Sequence, residues 1–111
     1  MITYVHWPEA RVLRRVRLGP SHIARRESFQ KYAQPSGIPC ELVIARHDSQ
    51  SRRTINEPAQ PYANYYLFYL GENGEELNDF CEPTLAEIVL GAETTFGIAP
   101  EEWEIISEDT V

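Results

Sequence analysis

The most hydrophobic run in the chain is Tyr65-Tyr66-Leu67-Phe68-Tyr69-Leu70, closed by a glycine. Aromatic and aliphatic residues bounded by turn formers read as a central strand. Gly71-Glu72-Asn73-Gly74 follows, and its Asn-Gly pair suits a tight hairpin turn because both residues tolerate positive φ. Glu75 to Phe80 is then the returning partner strand. Ile38 to Ala45 alternates, with Ile38, Cys40, Leu42 and Ile44 on one face of a further strand. Ile2 to Trp7 favours the pleat by residue type. Pro8-Glu9-Ala10 reads as a turn that leads into a hairpin partner over Val12 to Leu18.

A helical period is clearest near the end. Thr84 stands three residues before Glu87, which is the spacing of a capping box. Leu85, Ile88, Val89, Ala92 and Phe96 then recur along one face, and Gly97 is placed to stop the helix. After Pro100-Glu101-Glu102, Trp103 to Ile106 reads as a last strand, and Ser107 to Val111 as a fraying tail. Residues 22–33 carry a scattered apolar set, Ile23, Ala24, Phe29, Tyr32 and Ala33, which fits a short helix capped by Ser21 or a strand. Pro35-Ser36-Gly37 ends that segment. His47 to Pro61 is polar, holds Pro58 and Pro61, and reads as a long loop.

These elements define an α+β fold in one domain over residues 1–111. The expected architecture is a mostly antiparallel sheet of five or six strands with a helix over 84–96 packed on it and room for a second short helix near 21–33. At 111 residues, 42% apolar and 24% charged, the chain can bury a core without staples. No stretch approaches the ~20 apolar residues of a membrane span. Met1 to Trp7 has neither a basic leader nor a cleavage site, so a cytoplasmic location is expected.

Charge changes the picture most. All ten bases lie at or before Arg53, against four acids there, which leaves residues 1–53 at +6. Residues 54–111 hold thirteen acids and no base, so the chain totals −7. The basic stretch Arg11 to Arg26 is of a kind that contacts phosphates, but the net charge opposes a dedicated nucleic-acid binder. Pairing of those arginines with the acids of the second half is the simpler account.

Reactive chemistry has little foothold. His6, His22 and His47 have no metal spacing, and Cys40 and Cys81 match neither a zinc pattern nor CxxC, so both are read as buried or half-buried thiols. Nucleophile elbows and phosphate-cradling glycine loops are missing from the sequence. The expectation is a protein without enzymatic activity, metal or cofactor. The acids suggest another task. If the hairpin turn, the helix start and the Pro100 turn lie close together, their carboxylates make a negative patch. Charge of that kind steers a basic partner, and aromatic residues supply contact area. The residues this points to are Glu72, Glu75, Glu76, Asp79, Glu82, Glu101 and Glu102, with Tyr69 and Trp103 as aromatic anchors.

The stretch from Tyr65 through the Gly71-Glu72-Asn73-Gly74 turn, Thr84 to Glu87, Phe96-Gly97-Ile98 and Pro100 to Trp103 resembles small bacterial immunity proteins of polymorphic-toxin, contact-dependent or type VI secretion systems. The resemblance spans about 40 C-terminal residues. It implies a cytosolic binder that neutralises a cognate toxin, and it carries over no individual site residue. A regulatory or adaptor domain, a small enzyme or ligand-binding domain around His6, His47 or paired carboxylates, and RNA binding through Arg11 to Arg26 are the rival readings.

Overall fold

The computed structural model describes residues 2–29, 37–51 and 56–109. Six strands form one antiparallel sheet: β1 (Thr3–Tyr4), β2 (Trp7–Arg17), β3 (Glu41–Ser51), β4 (Gln60–Leu70), β5 (Glu76–Glu82) and β6 (Glu104–Ile105). The order is β1-β2-β3-β4-β5. The outer edge of β2 is shared, because Thr3 and Tyr4 pair with its first half while β6 pairs with Arg14 and Arg15. Two helices, α1 (Pro20–Phe29) and α2 (Leu85–Phe96), complete the α+β architecture.

Alternation along the strands sends their apolar residues to both faces. Leu13, Val16, Leu42, Ile44, Tyr65, Leu67 and Tyr69 face the helices. They pack with Ile88, Ala92 and Phe96 of α2, with Ile98 and Trp103, and with Ile23 of α1. The opposite face carries Ala10, Val12, Val43, Ala45, Phe68 and Leu70 and is covered by the first hairpin rather than by a helix. Tyr4 folds across it, stacks on Phe68 at 3.9 Å and donates its hydroxyl to Glu76 at 2.7 Å. His6 bonds the Gly74 carbonyl at 2.8 Å, so the first hairpin reaches the turn between β4 and β5.

α2 follows its sequence signals. Thr84 takes an extended N-cap conformation and accepts the Glu87 N–H at 3.2 Å, while its hydroxyl donates to the Glu87 carboxylate at 3.0 Å. Gly97 is left-handed (φ 69°), and the N–H groups of Gly97 and Ile98 both return to the Glu93 carbonyl.

Several elements differ from expectation. Pro8-Glu9-Ala10 is not a turn: the chain reverses at Val5-His6, and Pro8 lies within β2, where the register shift between Thr3 and Tyr4 absorbs it at the sheet edge. Ile38 is exposed and precedes β3, which starts at Glu41. His47 to Pro61 is not one long loop. Asp48 to Ser51 pair with Gln60 to Ala63 as a two-stranded arm that continues β3 and β4; residues 52–55 lie outside the described part. Backbone pairing sustains such an arm without an apolar pattern, which is why composition misses it. In the β4–β5 turn only Gly74 has positive φ, so the connection is a type I turn closed by one left-handed glycine rather than an Asn-Gly pair with both residues left-handed. α1 begins at Pro20, one residue before the expected cap Ser21, and the Gly19 N–H is bonded instead by His22 Nδ1 at 2.9 Å. The last residues of that expected helix, 30–33, and the Pro35-Ser36 stop fall outside the described residues. The tail is tied down as far as it is described: Ser107 bonds the Val12 carbonyl at 2.6 Å, and Asp109 reaches Arg46 and Tyr65, while residues 110–111 lie outside the described part.

Candidate functional site: the acidic edge of the sheet

β5 pairs only with β4, and the described residues leave its other edge open. Its register sets the faces. Glu82, Phe80 and Asn78 oppose Tyr65, Leu67 and Tyr69 and share their helix-side face. Cys81 and Asp79 oppose Tyr66 and Phe68 on the other face. Glu72 and Glu75 sit in the turn that precedes the strand, and Glu87 opens the helix that follows it. Six carboxylates, Glu72, Glu75, Glu76, Asp79, Glu82 and Glu87, therefore run along one border of the sheet.

Their neighbours on this border are about 7–10 Å apart at strand spacing. That is about one Debye length at physiological salt, so their fields add. The ion pairs among the described residues lie elsewhere: Arg15 with Glu104, His22 with Glu102, and Arg46 with Asp48 and Asp109. Among the described residues the two charged halves of the sequence thus neutralise each other at the C-terminal segment, and no ion pair lies along β5. Three border acids have local hydrogen bonds, Glu87 through the Thr84 hydroxyl of the helix cap. Glu76 accepts the Tyr4 hydroxyl, and Glu75 accepts the Asn73 N–H at 2.9 Å.

Glu101 and Glu102 do not join this group. They belong to a 3-10 turn (Pro100–Glu102) whose Glu102 bonds His22 Nε2 at 3.0 Å and lines a cleft with Arg15, Val16, Arg17, Glu41 and Glu104. Strands β2, β3 and β4 stand between β6 and β5, a separation of about 19 Å at 4.8 Å per strand. The expectation of one patch that includes the Pro100 turn is corrected to a border at β5 without ion pairs among the described residues and a compensated cleft at β2. Glu102 is held below the usual carboxylate range by the Ala99 N–H and then by His22, and Glu104 by Arg15.

Tyr69 and Trp103 are core residues, 6% and 8% exposed, and offer a partner little surface. Tyr69 packs edge-on against Phe96 at 5.3 Å under the Arg26 guanidinium, and Trp103 Nε1 donates to Glu93 at 3.0 Å. Phe80 on β5 is the aromatic residue the acidic border does expose, at 46%. With Leu67, Tyr69, Ile88, Gly91, Ala92 and Thr95 it lines a groove of about 340 Å³ between β5 and α2, with Glu82 and Glu87 also on its wall. Phe80 was readable as part of the returning strand, but sequence alternation did not show that this strand has one open edge.

The histidines and cysteines have structural surroundings. His22 is held between Gly19 and Glu102, His6 bonds Gly74, and His47 stacks on Trp7 at 4.2 Å. Cys40 is half-buried and Cys81, contrary to expectation, is exposed because it lies on the edge strand; both are free thiols. No group of three or more metal-binding side chains occurs among the described residues. No helix among them is long and apolar enough to cross a membrane. In comparisons with protein-family models, curated proteins and solved structures, nothing matches the chain.

Proposed function

We propose that the chain is a non-enzymatic immunity protein that binds a basic bacterial toxin, of nuclease type in view of the charge it must meet, and covers its active site. The observation that carries this reading is the border of six carboxylates on and beside β5, none of them in an ion pair among the described residues. Acids on an edge strand also discourage strand-to-strand aggregation. That role needs a few charges, whereas here they continue from the turn through the strand into the helix start. A positive, phosphate-binding cleft would meet this border with complementary potential, which raises the association rate and disfavours acidic competitors. The resemblance of residues 65–103 to immunity proteins agrees with that task.

Co-expression tests the reading. The candidate toxin is the basic protein recovered in stoichiometric amount with the tagged chain from its native lysate. Expressed alone it should stop growth, and expressed with this chain it should not. Growth arrest that persists at full expression of the chain, or a recovered partner that is harmless alone, would remove the immunity function.

A further inference from the structure

The groove beside β5 holds a residue the free fold does not explain. Gly91 lies in the middle of α2, where a glycine costs about 1 kcal/mol relative to alanine. Its φ is not positive, and a Cβ built there would meet nothing within 4 Å. The backbone conformation and the packing of the chain therefore both accept a larger residue. Glu87, Gly91 and Thr95 stand at i, i+4 and i+8, one stripe of the helix, and all three line the groove. Glycine at the centre of that stripe keeps the groove open next to the unpaired strand edge.

We propose that the open edge of β5 receives an extended basic segment of the partner protein as an added strand. The inference rests on the protein-binding reading above and names how that surface is used. Main-chain hydrogen bonds to β5 would provide the attachment, and alternate side chains the selectivity. On the helix side the added strand lies beside Asn78, Phe80 and Glu82, so its apolar side chains enter the groove over Gly91. Its other side chains emerge on the face of Asp79, where lysine or arginine meets the acidic border. Charge chooses the occupant: a neutral strand gains nothing from these carboxylates, and an acidic one is repelled.

A synthetic eight-residue peptide that alternates lysine and valine is the probe, titrated into the isotope-labelled full chain and followed by NMR. A fully backbone N-methylated copy has the same charge but no N–H donors. The expected result is a set of shifts on β5 amides and groove residues, with affinity at least tenfold lower for the N-methylated copy. Gly91→Leu, which fills the groove, should lower affinity at least tenfold while melting no lower than the parent. Equal binding of the two peptides, an unchanged affinity for Gly91→Leu, or no shifts at millimolar peptide would each overturn the added strand. In the toxin assay, neutralisation retained by Gly91→Leu but lost when Glu72, Asp79 and Glu82 are reversed would keep the inhibitor and remove the strand mechanism. Peptide binding as expected with no toxin partner would keep the strand mechanism and remove the inhibitor.

Discussion

Asp109 joins residues that the sequence holds far apart. Its carboxylate accepts from Arg46 Nη1 at 2.6 Å and from the Tyr65 hydroxyl at 2.8 Å, while Arg46 Nε also bonds Asp48. Burial pushes the Asp109 carboxyl up, but the hydrogen bonds from Arg46 and Tyr65 outweigh it and hold the group below the ordinary carboxylate value. A carboxyl depressed on folding contributes stability that is complete above the unfolded value, near pH 4, and is lost as pH falls through the folded one. Asp109→Asn should therefore cost about 2 kcal/mol at neutral pH. The gap between parent and variant should narrow below about pH 4. Urea unfolding at pH 7 and pH 3 reads both. None of this was legible in the sequence, where Ser107 to Val111 looks like a frayed end. The two long side chains that hold the tail come from β3 and β4, and only tertiary packing brings them to it. Tyr69 and Trp103 show the same limit: an aromatic residue announces contact area, but not whether the contact is a partner or the core.

At the scale of elements, α2 was the most legible. Its period, its Thr84 cap and its Gly97 stop are local signals, and each acts within one turn of the helix. The same helix yields a paired prediction. Thr84→Ala removes the cap and should cost about 1 kcal/mol. Gly91→Ala, in open space, should gain about 0.5–1 kcal/mol. Thermal melts of both variants check the signs; a Gly91→Ala protein that melts below the parent would mean the glycine is needed by the fold itself. Strands were legible where a continuous apolar run marks burial on both faces, as in β4 and the buried part of β3. The arm formed by the ends of those strands was not, since a two-stranded ribbon held by backbone bonds imposes little side-chain pattern. β2 was misread around Pro8 for a related reason. Proline usually marks a turn, but a shared sheet edge with a register shift can hold it.

Across the whole molecule, the separation of charge along the chain becomes a separation in space, though not the one the sequence suggests. The C-terminal acids Glu104 and Asp109 return to the basic strands and are compensated there. The middle acids, Glu72 to Glu87, occupy the far border of the sheet. Topology makes this division, and the linear charge count contains no trace of it. The consequence is directional. Among the described residues, one border carries negative charge outside any ion pair, a strand edge without a partner and a groove that exposes Phe80, while the opposite border is covered by β1 and by β6 with its Arg15–Glu104 ion pair.

The most direct measurement is the association rate and affinity of the toxin partner for the parent chain and for a triple charge reversal, Glu72→Lys, Asp79→Lys and Glu82→Lys, by surface plasmon resonance at low and high salt. These three side chains make no hydrogen bond or ion pair among the described residues, so the variant should fold as the parent does. The account predicts that the association rate falls at least tenfold and loses most of its salt dependence. A triple variant that binds as fast and as tightly as the parent, with the same response to salt, would contradict a partner-binding role for the β5 border.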